Sequence, residues 1–231
     1  MITLLQSAGG IEPLPVAAGL LAGRKRSGFC WGMGVAGKYW DPRTLLRAGF
    51  TLATLLALSG CGGGTVPETF DLTAPSNFAA RPARGQLVVN EPVATLPVDS
   101  DRIVIRTAPE AVAYLTGAQW ADRLPRLLQT RLIAAFENSH SLKNVGRPGL
   151  NADNALTSEI RRFEVDVTTG QAIAELSVKL VGDRSGRIRA AKIFTCLSPA
   201  PSKGPALIAG ALDQALADCL RQVVNWTSGQ I

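Results

Sequence analysis

Cysteine and histidine carry the widest chemistry of any side chains, and this sequence has four of the first and one of the second. The cysteines are Cys30, Cys61, Cys196 and Cys219; the histidine is His140. A thiol can attack a substrate, ligate a metal, close a disulfide or carry a lipid, and its surroundings decide which. His140 stands between Ser139 and Ser141 at the end of an expected helix. A serine–histidine–acid triad would need this one imidazole. A helix end favours the plainer role of a solvated cap on the last carbonyls. Asp99 with Asp101, and Asp213 with Asp218, have no second ligand type beside them, so they read as surface residues rather than metal ligands. No G-x-x-x-x-G-K-[ST] phosphate loop occurs. Gly32-Met33-Gly34-Val35-Ala36-Gly37 spells G-x-G-x-x-G, but no strand precedes it and a basic stretch follows it. Both contexts are wrong for a dinucleotide site. No catalytic residue, cofactor site or metal site is therefore expected.

Cys61 has the most telling surroundings. Lys38, Arg43 and Arg47 form a basic stretch, Ala48 to Leu58 is an uncharged Leu-rich run, and Leu58-Ser59-Gly60-Cys61 follows. This resembles the signal and lipobox of bacterial lipoproteins. The small residues let the backbone enter a signal-peptidase cleft, and the thiol can take the diacylglyceryl thioether. A membrane-spanning helix is the plainer alternative, since Ala48 to Pro67 is uncharged. Its second half, however, holds Ser59-Gly60, Gly62-Gly63-Gly64 and Pro67, which are poor helix formers. Lipidation is expected at Cys61, with Leu58, Ser59 and Gly60 as the lipobox. Gly62 is not the aspartate associated with inner-membrane retention, so the protein is expected at the outer membrane.

The +6 net charge is concentrated in this leader: residues 1–60 hold six Lys/Arg against two acids. The remaining chain has no basic block, so no nucleic-acid footprint is expected. Hydrophobic residues at 46% with charged residues at 18% suit a packed core and exclude a disordered chain. Residues 1–32 place their apolar stretch before their basic cluster, the reverse of a signal peptide. They read as an over-extended start, with translation beginning near Met33. The expected organisation is then residues 33–60 as signal peptide, 61–68 as a flexible tether and 69–228 as one folded domain.

Periodicity supplies the elements of that domain. Short strands are expected at 70–72, 85–90, 102–106 and 111–115. Trp120, Leu124, Leu127, Leu128, Leu132, Ala135 and Phe136 form one apolar helical stripe, predicting a helix over 118–138. Pro125 inside it predicts a kink or a later start. Strands follow at 155–167, 171–181 and 187–196, with a hairpin turn at Thr168-Thr169-Gly170. Ile160 is out of parity with Phe163, Val165 and Val167. The strand at 171–181 shows a parity switch near Glu175, read as a bulge. The last helix, 205–226, presents Ile208, Leu212, Ala215, Leu216, Cys219, Val223 and Trp226 on one face. The fold class is α+β: a curved, largely antiparallel sheet with two helices packed on one face. Cys196 ends a strand and Cys219 lies on the apolar helix face, so they are either a disulfide or two buried thiols; their Cα separation decides. Trp120, Tyr114 and Trp226 read as core or helix-to-sheet anchors.

Several pieces then occur in a familiar order. They are Phe70-Asp71-Leu72 after the cysteine, Asp99-Ser100 before an alternating strand, and Tyr114 and Trp120 leading into Leu124-Pro125 and Leu127-Leu128. Ile160 with Phe163-Glu164, Ala172 with Ala174-Glu175-Leu176, Phe194 and a closing Trp226 complete the set. The ordered set resembles the ABC-type transport auxiliary lipoproteins, the PqiC-like family. The resemblance implies a non-catalytic lipoprotein of the outer membrane, facing the periplasm. It also implies work with an inner-membrane MCE-domain protein and a permease or ATPase in moving lipid between membranes. Ile105-Arg106 departs from the aromatic or Tyr-Arg pair common in relatives.

Strand alternation places Arg102, Val104 and Arg106 opposite Ile103 and Ile105, and Glu164 and Asp166 opposite Phe163 and Val165. The face away from the helices is thus expected to be charged and mixed, suited to a partner or a homo-oligomer through Arg102 and Arg106. Reversing both arginines is expected to leave unfolding nearly unchanged. The competing readings are a lipid carrier, which needs an apolar cavity of several hundred Å3, and an envelope-assembly lipoprotein of another outer-membrane machine.

Overall fold

The computed structural model describes residues 66–149, 151–201 and 203–231. Cys61, its lipobox, the 1–32 extension and the signal peptide lie outside the described residues. Eleven elements follow in order: β1 (Glu68–Phe70), β2 (Gln86–Val89), β3 (Val93–Ala94), β4 (Arg102–Ala108), β5 (Ala111–Trp120), α1 (Leu124–Ser139), β6 (Asn144–Gly146), β7 (Asn154–Asp166), β8 (Gln171–Gly182), β9 (Ile188–Pro199) and α2 (Pro205–Ser228).

The nine strands form one sheet built on β7. One edge of β7 pairs along its length with β8, and β8 pairs with β9; both ladders are antiparallel. The other edge is shared. Its C-terminal half pairs in parallel with β4, which continues to β5 and β1. Its N-terminal half pairs in parallel with β2 and β3. The sheet is therefore mixed: the long ladders are antiparallel, and the parallel ones span two or three pairs. The α+β class with two helices stands.

Each helix starts with a proline in its first turn, where the missing N–H has no intrahelical partner to lose. This places the start of α1 at Leu124, not at Ala118. Trp120 continues the apolar stripe by spacing alone and belongs to the end of β5. There the extension Ala118–Trp120 is held against β1, with Phe70 opposite Trp120. Four β5 residues, Leu115 to Ala118, lie between the partners of Val104 and Arg102. Gly117 supplies the φ of +74° that this irregularity uses.

The bulge sits on β7 rather than β8. Ile160 pairs with Leu176 and Arg162 with Glu175, so Arg161 is the extra residue. It switches Leu156 and Ile160, then Phe163 and Val165, onto the same face. β8 keeps one parity through Ala172, Ala174, Leu176, Val178 and Leu180, and Ile173 points to the other side. The helices bury their stripes against this face in a single core. Ala215, Leu216, Cys219 and Val223 of α2 are fully buried, and its small alanines let the helix sit close to the sheet. Trp120 packs on Phe163 at 5.8 Å between centroids, and Trp226 meets Phe194 edge-on at 5.7 Å.

Candidate functional site

The sheet face turned away from the helices is the surface this fold leaves open. Register aligns Leu197, Ile173, Glu164, Val104 and Tyr114 in one row across β9, β8, β7, β4 and β5. Glu164 lies in the middle and is only 3% exposed. A lone carboxylate buried there would be costly. Two arginines neutralise it. Arg106 donates from Nε to Oε1 at 2.8 Å and from Nη2 to Oε2 at 3.0 Å, and Arg162 donates from Nε to Oε1 at 2.8 Å. Arg106 Nη1 also donates to the Pro109 carbonyl at 2.7 Å, tying the clamp to the β4–β5 hairpin. The Glu164 carboxylate holds the Arg106 guanidinium still more firmly protonated than usual. At the bulge, Arg161 pairs with Glu175 at 3.0 Å.

Arg102 and Arg106 are therefore unlike each other. Arg102 is exposed, with its guanidinium 3.9 Å from the centre of the Tyr114 ring. Arg106 is spent within the fold. Reversing it would strand Glu164, so the expectation of unchanged unfolding is corrected for Arg106. Alternation placed Glu164 on the correct face, but its burial and clamping were not legible. The only sequence signal is Arg162-Phe163-Glu164, whose outer residues share a strand face; Arg106 reaches them through pairing alone.

Asp166 closes this face at the β7–β8 turn. Its Oδ1 accepts from the Thr168 N–H at 2.9 Å, the Thr168 hydroxyl at 2.5 Å and the Thr169 N–H at 3.3 Å. The Thr168 hydroxyl, the two backbone donors and nearby Arg162 hold this carboxyl below its ordinary value. A depressed folded value gives stability that is present above the ordinary carboxylate pKa of about 3.9 and lost as pH falls through the folded value. Asp166→Ala is thus expected to lower stability at neutral pH and to flatten the acid limb of the unfolding midpoint against pH. An acid limb identical to the parent's would sink this assignment.

The remaining candidates fall as follows. Cys196 and Cys219 are joined by a disulfide, with Cα atoms 5.6 Å apart, linking edge strand β9 to α2. His140 is the exposed left-handed C-cap of α1, its N–H donating to the Glu137 carbonyl. The flanking serines turn inward: Ser139 Oγ and Ser228 Oγ each hydrogen-bond with Ser141 Oγ, binding the ends of the two helices together. Asp213 accepts from the Thr73 N–H and hydroxyl, and Asp99 pairs with Arg123. Among the described residues no group of three metal-ligating side chains converges. No helix among them is long and apolar enough to cross a membrane. Larger clefts of about 320 and 640 Å3 are open and lined by polar groups such as Gln86, Lys143 and Asn144. An apolar cleft of about 60 Å3 lies between Ile105, Val165, Val167 and Ile208.

The described residues thus form a two-helix layer on a nine-stranded sheet with one charged open face. A model of the ABC-type transport auxiliary lipoprotein component family matches residues 70–224. The chain belongs to this family. The auxiliary lipoprotein match runs from the last residue of β1 into the last turns of α2, so the open face and the disulfide both lie within it. An uncharacterized protein of Bradyrhizobium diazoefficiens is 30% identical over 183 residues, 76% of this chain and 49% of its own length. The chain thus spans about half the length of that curated relative. A crystal structure of a Xanthomonas campestris protein superposes with a TM-score of 0.66 at 32% identity, covering 71% of this chain and 97% of the other. A further uncharacterized protein shares the fold, with a TM-score of 0.58 at 15% identity over 70% of this chain and 99% of its own. The family is described as an auxiliary lipoprotein component of ABC-type transport.

Proposed function

We propose that the protein is a non-catalytic adaptor, anchored in the outer membrane through a lipid on Cys61, that docks the periplasmic MCE-domain protein of an intermembrane lipid transport system. Family membership carries this reading, supported by the Leu58-Ser59-Gly60-Cys61 pattern shortly before β1. The open face supports docking: it presents Arg102, Arg161, Thr195 and Leu197 around a neutralised, rigid centre, a mixed surface of the kind non-obligate partners use. A carrier would need a large apolar cavity; the apolar cleft between Ile105, Val165 and Ile208 is about 60 Å3, and the clefts of about 320, 340 and 640 Å3 are open and lined in large part by polar side chains.

Anchoring and docking are separable in one experiment. Cys61→Ala is expected to leave an uncleaved, unacylated precursor that no longer sediments with outer membranes. A photo-crosslinking residue at Thr195 is expected to capture the MCE-domain protein only in the acylated chain. Cleaved and correctly sized protein from Cys61→Ala would end the anchor. Stoichiometric phospholipid carried by the purified protein would favour the carrier.

A further inference from the structure

The fold has two chemically different ends. At one, β4, β7 and β9 finish, β5, β8 and α2 begin, and the turns at Pro109–Glu110 and Val167–Gly170 come together with Ala200 and Pro201. Val112 is 44% exposed there, Val167 52% and Leu207 62%. Val167 and the exposed Pro201 flank the small apolar cleft whose floor is Ile105, Val165 and Ile208. The free charges of this end are few: Glu110 and Lys203 are exposed, whereas Arg106 is clamped and Asp166 closes its turn. The opposite end exposes Asp153, Asp183, Arg184, Arg187 and Lys143. The other exposed large apolar side chains of the folded body, such as Leu96 and Ile193, are scattered over loops and β9.

Chain direction singles out the same apolar end. β1 runs parallel to β5 with Glu68 opposite Ala118, so going backward from Glu68 heads toward Ala111 and the β4–β5 hairpin. Cys61 precedes Glu68 by as many residues as Ala111 precedes Ala118. An extended chain covers at most about 3.3–3.6 Å per residue, close to the rise of a strand. A fully extended tether therefore reaches at least to the level of the hairpin, since β5 spends extra residues at its irregularity.

We infer that this end is the membrane face of the protein: Val112, Val167, Leu207 and Pro201 rest in the interfacial layer of a bilayer, beside the acyl chains of Cys61. The inference rests on the lipid-anchor reading above. Its physical logic is that of a second anchoring signal, apolar side chains adding to the acyl chains, with only Glu110 and Lys203 as free charges beside them. It also leaves the open sheet face upright, standing perpendicular to the membrane.

The test uses the full chain, exported and acylated, with single cysteines introduced as Val112→Cys, Val167→Cys or Leu207→Cys, and Arg184→Cys as the control. Each is labelled with an environment-sensitive dye under non-reducing conditions. The protein is then reconstituted into phosphatidylethanolamine–phosphatidylglycerol vesicles carrying a shallow spin-labelled lipid. Quenching at the first three positions is expected to exceed that at Arg184→Cys at least twofold. Equal quenching at all four positions, or more at Arg184→Cys, overturns the assignment. A blue-shifted dye before any vesicle is added, together with a mass above that of one chain, identifies a second copy as the occupant and also overturns it. Intact mass keeps the two readings apart. An unmodified Cys61 removes the anchor and this inference together, whereas an acylated chain with unquenched dyes removes this inference alone.

Discussion

Replacing Cys196 and Cys219 together by alanine is expected to lower the unfolding free energy by about 3 kcal/mol. The bridge closes a loop of sequence separation 23 between β9 and α2, and the chain-entropy estimate for a loop of that size gives about this value. For a domain of this length the melting temperature should fall by roughly 6–12 °C. The location adds to the effect. Among the described residues β9 pairs only with β8, so nothing described in the sheet holds its outer edge, and the disulfide fixes it to the buried face of α2. The measurement is urea or thermal unfolding with and without reductant. Reductant should shift the parent to the midpoint of the double alanine variant and leave that variant unmoved. A parent insensitive to reductant, under conditions that do reduce the thiols, would count against a structural bridge.

Arg106→Glu is expected to cost about 3 kcal/mol, because removing one partner of a buried ion pair leaves the other uncompensated. Glu164 keeps Arg162, which holds the loss near the low end of that range, but it gains a second carboxylate at hydrogen-bonding distance. Arg102→Glu is the internal comparison. Its guanidinium is exposed over Tyr114, and an exposed cation–π contact is worth about 0.5–1 kcal/mol. Replacing the pair by apolar residues, Arg106→Met with Glu164→Leu, should recover most of the stability lost in Arg106→Met alone. Urea unfolding of the four chains of that cycle gives the coupling directly. Equal stability of Arg106→Glu and Arg102→Glu would sink the clamp. The comparison bears on function as well: of the two arginines, Arg102→Glu is the variant that tests docking, since it changes the open face without loosening the fold.

Both effects depend on placements that the linear sequence carries unequally. Local signals located most of the elements. Alternation marked β4, β7 and β8, the 3.6-residue stripe marked α2, and Thr168-Thr169-Gly170 marked the turn between β7 and β8. Together with the order of short motifs, they were enough for the fold class and the family. Two of the shortest strands, β3 and β6, carry too few residues for any period to register; they exist because β7 and β2 offer them a free edge. The start of α1 was misread for a physical reason: Trp120 satisfies the helical spacing, yet the edge that β1 offers captures Ala118–Trp120 as strand. Ile160 falling out of parity with Phe163 and Val165 was the visible trace of the bulge, which sequence alternation placed near Glu175; only the register shows that the extra residue is Arg161 and that β8 keeps its parity. Two buried cysteines with helical and strand contexts left a bridge and free thiols equally open, since a Cα separation is a property of packing. Glu164 is the clearest case. By itself the sequence determined which face of the strand it occupies, because side-chain direction alternates residue by residue. Only the tertiary structure decided that it is buried and clamped, because its partner Arg106 arrives from β4, and no local pattern encodes which strand will lie alongside.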